Sequence, residues 1–216
     1  MKERAKRRMR ARRWSGLAFG LAATTCAVIV AGCGAARPVH YYTLEQPPAA
    51  QPAVSKAHAV SLLVARVRAT RLLEDDRIVY GTSPVEMGVY SEHRWAEPPP
   101  EMIETMLIER LRATGQYQSV QRLSGAARGD YVVRGRLIAL KELDLPSGIV
   151  ARFAMELDLF QPKTGTVVWS QTYQHDEPVQ KKSVEAVVEA LQQNVETGLG
   201  QLTAGLGEYF AAHAGQ

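Results

Sequence analysis

The middle of the chain alternates apolar and polar residues, and this period of two predicts β-strands. The clearest alternation runs through residues 149–160, where the apolar positions are Ala151, Phe153, Met155, Leu157 and Leu159. Turn sequences at 145–148 and 162–165 separate this stretch from similar stretches at 131–143 and 166–174. The pattern predicts a three-stranded antiparallel meander with one face packed and the other in water.

Two segments have the spacing of amphipathic helices that would cover the packed face. The first begins at three consecutive prolines, residues 98–100, which suit a first helical turn because their missing N–H groups need no partner there. It ends before Gly115, a residue type common at helix C-termini. The second runs from near Lys182 to about Phe210, and its second half contains Gly198, Gly200, Gly205 and Gly207. Each glycine weakens the helix by up to about 1 kcal/mol relative to alanine, so this half either packs closely or frays.

Shorter apolar runs predict further strands. Residues 60–67 form a β-branched run typical of a buried strand, and residues 78–80 and 85–90 indicate two more. Residues 118–123 fit a short strand after the first helix. We therefore expect an α+β fold, with a mixed, largely antiparallel sheet and two main helices packed against it, in a single domain over residues 59–212.

The first 32 residues, 1–32, have the layout of a secretory signal peptide. A basic stretch ends at Arg13, and residues 17–32 then carry no charge. This length is short for a membrane-spanning helix, which needs about 20 apolar residues. The leader ends in Val30-Ala31-Gly32-Cys33. This sequence is similar to a lipobox, in which one aliphatic and two small residues precede the cysteine that receives a lipid.

Cys33 is the predicted lipidation site, and alternatives stay open. Cys26 is the rival cysteine, although the two threonines before it fit a lipobox poorly, and the leader as a plain signal peptide or an uncleaved anchor is the other reading. If residues 1–32 are removed, Cys33 has no cysteine left for a disulfide. By similarity to Gram-negative lipoproteins, Gly34 after the lipid site favours the periplasmic face of the outer membrane. A diacylglyceryl group and an N-acyl chain such as palmitate would be attached, with no other cofactor.

Residues 33–58 are rich in Ala, Pro and Gln, which indicates a tether between the lipid and the domain. Fully extended, this tether would span roughly 70–80 Å. The segment 41–44, Tyr41-Tyr42-Thr43-Leu44, interrupts it with high β-propensity. We expect the segment either to add a short strand to the domain or to be an apolar patch in a linker.

The basic charge of the chain belongs to its leader. The net charge is +4, but residues 1–33 contain eight Lys or Arg against one Glu, which leaves 18 basic and 21 acidic side chains in the rest. This balance gives no reason to expect nucleic acid as a partner. No P-loop, GxSxG or HExxH motif occurs, and the densest polar cluster, His175-Asp176-Glu177, is interpreted as a solvated loop and not as a metal site. The sequence predicts no catalytic, cofactor or metal site, and hence no enzyme.

Three motifs occur in order before and at the first predicted helix. They are Tyr41-Tyr42-Thr43-Leu44, then Arg77-Ile78-Val79-Tyr80 with Tyr90, then Arg94-Trp95-Ala96-Glu97-Pro98. Together with the lipobox, they resemble the ABC-type transport auxiliary lipoprotein family over most of the chain, from Cys33 to about residue 200. The block at 94–98 is the most specific motif, and Pro99-Pro100 departs from the apolar residue that many relatives have there.

The resemblance implies a component of an ABC system that moves lipid together with an MCE-domain protein. In such systems a cytoplasmic ATPase and a permease drive transport, and the auxiliary lipoprotein docks the MCE assembly at the outer membrane without catalysis of its own. Relatives form rings, so the resemblance also implies a homo-oligomer. Arg94 and Trp95 are the candidate partner contacts, because these residue types are enriched at interfaces. Alternatively, Trp95 fills the sheet–helix junction while Arg94 pairs with Glu97 or Glu92. The competing class is an outer-membrane assembly or chaperone-like lipoprotein unrelated to ABC transport, and an enzyme ranks third.

Overall fold

The computed structural model describes residues 37–45, 58–83 and 85–213. The predicted signal peptide, Cys33 and residues 46–57 of the predicted tether lie outside this part of the chain. Residues Val39–Gln216 form one compact unit. Every helix and strand that the structure describes belongs to this unit.

In the described part of the chain, nine strands form one mixed sheet. In chain order they are β1 (His40–Tyr42), β2 (His58–Val64), β3 (Arg68–Ala69), β4 (Arg77–Gly81), β5 (Met87–Trp95), β6 (Tyr117–Arg122), β7 (Tyr131–Leu145), β8 (Gly148–Gln161) and β9 (Thr166–Pro178). The two helices are α1 (Pro99–Ala113) and α2 (Val184–Ala212), and a 3₁₀ turn occupies Arg71–Leu73. These elements confirm the predicted α+β fold.

Strand β7 organises the sheet. One of its edges pairs along its whole length with β8, antiparallel, and β8 pairs in turn with β9, so the predicted meander is confirmed. The other edge of β7 carries β2, β3 and β4 one after another, all parallel to it. Beyond these, β6 pairs parallel with β2, β5 pairs antiparallel with β4, and β1 pairs parallel with β5. The longest ladders are antiparallel, as predicted, while the short strands add parallel pairs that the residue pattern did not indicate.

Both helices pack on the sheet, and their ends follow from local chemistry. Helix α1 begins after Pro98, with prolines at its first two positions, and the chain leaves it through Gly115 at φ 63°, a left-handed conformation that glycine adopts without steric cost. Helix α2 is capped by Ser183, whose Oγ accepts a hydrogen bond from the N–H of Ala186. Among the described residues, no helix is both long enough and apolar enough to cross a membrane.

The glycine-rich half of α2 packs closely and does not fray. The helix continues to Ala212, past the last of its four glycines. A Cβ atom on Gly198 would lie 2.6 Å from the ring of Tyr173 on β9 and 2.7 Å from the ring of Phe153 on β8. The missing side chain therefore lets α2 approach the apolar face of the meander, where the alternating residues of β8 are fully buried.

The expectation of a solvated loop at residues 175–177 is wrong. His175, Asp176 and Glu177 lie within β9, which extends to Pro178. Asp176 accepts two hydrogen bonds from Arg152 on β8, at 2.6 and 2.7 Å. These cross-strand bonds hold polar residues in the ladder beyond the point where the alternating apolar pattern ends.

Candidate docking site at the β1 edge

The three sequence motifs come together in space. β1 pairs with the end of β5 so that Tyr41 lies opposite Arg94. Arg94 in turn lies opposite Arg77, at the start of β4. We call this region the β1 edge: it comprises β1, residues 90–95 of β5 and residues 75–80. In the described structure, β1 stands at one end of the strand order and pairs with β5 alone. β1 is therefore an edge strand of the sheet.

Trp95 is buried, so its side chain does not reach a partner. It is 1% exposed and belongs to the hydrophobic core. The backbone N–H of Trp95 donates to the backbone carbonyl of Asp76 at 2.6 Å. The backbone N–H of Ala96 donates to the backbone carbonyl of Tyr42 at 2.7 Å. Trp95 therefore fills the junction between the sheet and the start of α1, which is the alternative that the sequence offered for this residue.

Two arginines of the β1 edge are paired with two consecutive aspartates. Nη1 of Arg94 lies 3.0 and 3.2 Å from the carboxylate oxygens of Asp76. Arg77 donates to both oxygens of Asp75, from Nε at 3.0 Å and from Nη2 at 2.9 Å. These bonds from Arg77 hold the pKa of Asp75 well below its ordinary value, so its carboxylate stays ionised at neutral pH.

The partner of Arg94 differs from the ones that the sequence suggested. Its guanidinium contacts Asp76, in the turn before β4, where the sequence had indicated Glu97 or Glu92. About a third of the Arg94 side chain, 34%, stays exposed. A contact between Arg94 and a partner protein therefore stays a prediction, with the guanidinium already oriented by Asp76.

Tyr42 connects β1 to the first turn of α2. Its hydroxyl lies 2.8 Å from Nδ1 of His93 on β5 and donates a hydrogen bond to Oε1 of Glu185 at 3.0 Å. Burial, followed by the bond to Glu185, raises the pKa of Tyr42 to about 12. The hydroxyl therefore keeps its proton at neutral pH and serves as a hydrogen-bond donor. These contacts join β1 to β5 and to α2, and we call Tyr42, His93 and Glu185 the clamp.

A row of aromatic rings extends this clamp across the sheet. The ring of His93 stacks on His40 and Tyr42, with centroids 5.2 and 5.8 Å away, and meets Tyr90 edge-on at 5.6 Å. The Tyr90 hydroxyl donates to Oε2 of Glu142 on β7 at 2.8 Å. Burial is the main cause that raises the pKa of Tyr90 well above its ordinary value. The hydroxyls of Tyr42 and Tyr90 are thus both protonated and hydrogen-bonded. These bonds and the stacked rings hold β1 against β5.

The chain after β1 crosses onto α2. Leu44 is buried in the core. The N–H of Glu45 donates to Oε1 of Gln192 at 2.9 Å, and Nε2 of Gln192 donates back to the carbonyl of Glu45. Residues 40–45 are therefore held by the sheet and by a helix, as part of the compact unit that begins at Val39.

This attachment shortens the tether that the sequence indicated. The predicted connection was residues 33–58, whereas the structure attaches residues 40–45 to the sheet and to α2. Only residues 34–39 then separate Cys33 from β1. At about 3.3–3.6 Å per residue, the largest possible reach falls from roughly 70–80 Å to roughly 25 Å.

A second surface feature lies away from the motifs. A shallow groove of about 340 Å³ runs between β9 and α2, and its lining includes Thr172, Gln174, His175, Glu177, Thr197 and Gln201. Within the described residues, no group of three or more His, Cys, Asp or Glu side chains is placed to hold a metal ion. The β1 edge is the stronger candidate site, because all three motifs assemble there.

Comparison with known protein families agrees with this assembly of motifs. The family model described as ABC-type transport auxiliary lipoprotein component matches residues 42–202. The chain belongs to this family. The match of the ABC-type transport auxiliary lipoprotein family begins at Tyr42, the last residue of β1, and ends within α2, so it includes Tyr42 and the parts of the β1 edge that follow it in the chain.

Solved structures show the same fold. Protein XCC0632 from Xanthomonas campestris, of family DUF330, is 20% identical, with a TM-score of 0.72 over 83% of this chain and 100% of that chain. A second structure, of an uncharacterized protein, is 16% identical, with a TM-score of 0.62 over 79% of this chain and 99% of that chain. No curated protein matches the chain. At these identities the similarity establishes the fold alone.

Three residues that hold residues 40–45 to the rest of the domain were not candidates from the sequence. His93, Glu185 and Gln192 carry no motif, and their partners are distant in the chain. Glu185 follows Ser183 in the first turn of α2, which is typical of a helix N-terminus. That local role conceals its contact with Tyr42, 143 residues away.

Proposed function

We propose that this protein is a lipid-anchored, non-catalytic docking component of an ABC transport system that moves lipid. The observation that carries the proposal is the match of residues 42–202 to an auxiliary lipoprotein component of ABC-type transport. The partner in this proposal is an MCE-domain protein, which works with a permease and a cytoplasmic ATPase. The domain lies in the periplasm at the inner face of the outer membrane, and copies of it associate as a homo-oligomer.

The proposed anchor is a diacylglyceryl group and an N-acyl chain such as palmitate on Cys33. Several buried acyl chains give lasting attachment, since each CH₂ contributes about 0.8 kcal/mol. The short connection between Cys33 and β1 supports a docking role, because it confines the domain to a thin layer beside the membrane. No further cofactor is part of the proposal.

The polar groups of the β1 edge support binding over catalysis. The hydroxyl of Tyr42 holds its proton and is bonded to His93 and Glu185. Asp75 forms an ion pair with Arg77, and Asp76 forms one with Arg94. Groups that are already paired with one another fix the shape of a surface, whereas a general base needs access to a substrate proton.

The experiment is purification of the protein from membranes of its own host after crosslinking in cells. We expect the MCE-domain protein to be recovered together with the permease and the ATPase. The variant Cys33→Ser should lose the lipid, leaving an uncleaved or released protein, and should lose most of this recovery, while the matched control Cys26→Ser should keep the lipid and the recovery.

Other outcomes separate the competing functions. Repeated recovery of the protein without an MCE partner, in cells that express one, would refute the transport proposal. Recovery with outer-membrane assembly proteins instead would support the assembly or chaperone-like class. Separation of inner and outer membranes by density tests the location, because the proposal places the protein in the outer-membrane fraction.

A further inference from the structure

We propose that Val39 and Tyr41 form a membrane-contact patch that lies against the surface of the bilayer holding the lipid anchor. The inference rests on the anchor at Cys33 in the proposed function. It adds the orientation of the domain, since it states which side of the sheet faces the lipid headgroups.

The first observation is the exposure of these two side chains. Val39 is 42% exposed and Tyr41 is 65% exposed. Successive residues of a strand point to opposite faces, and the neighbours His40 and Tyr42 lie on the face that carries His93, whose ring stacks on both of theirs. Tyr42 is half-buried on that face while His40 stays exposed, and Tyr41 projects from the opposite face of the strand.

The position of these side chains in the chain distinguishes them from other exposed apolar residues. The large hydrophobic residues exposed in the described structure are Val39, Tyr41, Val85, Met87, Leu123, Ile138 and Val167. Of these, Tyr41 lies on β1, the described strand nearest Cys33 in the chain, and Val39 directly precedes that strand. Tyrosine is a preferred residue at the level of lipid headgroups, because its ring is apolar and its hydroxyl stays hydrated.

The length of the connection limits how the domain can turn. Five residues, 34–38, separate Cys33 from Val39, which allows a reach of roughly 20 Å. A compact unit of this size, Val39–Gln216, has a diameter of about 40 Å. Because the tether is shorter than the domain is wide, the β1 edge cannot swing to the side of the domain that faces away from the bilayer.

The charges beside the patch do not oppose this contact. Arg94, the residue opposite Tyr41, is paired with Asp76, and Arg77 beyond it is paired with Asp75. Paired charges next to the patch reduce the cost of bringing it to the headgroup layer. The bilayer is the occupant that the attachment itself supplies, so the contact requires no additional protein.

The test uses a tryptophan reporter and brominated phosphatidylcholine, which quenches tryptophan at the bilayer. The lipoprotein is purified from membranes as Tyr41→Trp in a Trp169→Phe background and reconstituted into these vesicles. Trp95 remains as a buried internal reference. The matched control is Leu123→Trp in the same background, since Leu123 is 43% exposed and follows β6, at the other end of the strand path from β1.

We expect the tryptophan at position 41 to be quenched at least about twofold more than the one at position 123. Equal quenching at the two positions would overturn the inference, as would quenching at neither. Protection of position 41 that appears only after partner protein is added would also overturn it, and would assign the patch to that partner. If mass spectrometry finds no lipid on Cys33, the same variants are coupled through the Cys33 thiol to a maleimide lipid, so that a failure of lipidation and a failure of the patch are distinguished.

Discussion

Asn194 allows a direct test of how α2 is fixed on the meander. Its amide is fully buried and makes three hydrogen bonds to the strands. Oδ1 accepts from the hydroxyl of Tyr173 at 2.8 Å, and Nδ2 donates to the carbonyls of Ala151 and His175, both at 2.9 Å. One side chain therefore joins the helix to both β8 and β9.

The expected cost of Asn194→Ala follows from these contacts. A buried hydrogen bond between neutral groups contributes about 1 kcal/mol net, and a buried polar group left without a partner costs about 1–3 kcal/mol. The variant removes three bonds and leaves the hydroxyl of Tyr173 without its acceptor. We expect the free energy of unfolding to fall by about 3–5 kcal/mol, a large part of the roughly 5–15 kcal/mol typical of a domain.

The assay is urea denaturation of the purified protein, followed by circular dichroism. The control Gln193→Ala changes the adjacent exposed residue of the same helix and should alter stability little. A double-mutant cycle with Tyr173→Phe should give a coupling energy of about 1 kcal/mol. A cost for Asn194→Ala within about 1 kcal/mol of the control would refute the reasoning, because it would mean that the three bonds do not hold the helix.

Three further predictions test the packing and the electrostatics. The buried hydroxyl of Tyr117 has no hydrogen-bond partner among the described residues, so Tyr117→Phe should stabilise the protein by about 1 kcal/mol, measured by thermal unfolding; destabilisation would reveal a partner. Gly198→Ala should destabilise by about 1–3 kcal/mol in urea, because its Cβ would meet two buried rings. Gly200→Ala would meet only the end of the Arg110 side chain and should be neutral or stabilising by up to about 1 kcal/mol, since alanine favours a helix over glycine; equal effects of the two variants would contradict the close packing. Hydrogen bonds from Arg152 lower the pKa of Asp176, so this pair stabilises the folded state above the ordinary carboxyl pKa and the stabilisation is lost as pH falls through the lowered value. Urea midpoints measured from neutral to acid pH should therefore decline less for Asp176→Asn, and an unchanged decline would count against the pair.

Local pattern predicts the elements whose period is regular. The alternation in residues 149–160 predicts β8 because one side of that strand is apolar throughout. The prolines at 98–100 and Gly115 predict both ends of α1, since each restricts or frees the backbone at its own position. The polar extension of β9 is missed because residues 175–177 do not alternate, and their place in the strand depends on Arg152 of the neighbouring strand.

Long-range pairing accounts for most of what the sequence does not reveal. The parallel contacts of β2, β3 and β4 with β7 depend on which strands meet, and this is not encoded in the period of any one strand. Arg94 pairs with Asp76 because the turn before β4 returns to β5, whereas the carboxylates near it in sequence were the natural candidates. Asn194 does leave a signal: it is the amide three residues after Leu191 and next to Val195, on the apolar stripe of the helix, and that position marks a buried polar residue that needs partners.

The central claim is that a lipid on Cys33 holds this auxiliary domain close to a membrane. The most direct test is mass spectrometry of the N-terminal peptide of the protein isolated from membranes of its host. The account predicts a peptide that begins at Cys33 and carries a diacylglyceryl group and an N-acyl chain. A peptide that extends upstream with a free Cys33 thiol, or one that carries its lipid on Cys26, would contradict the account.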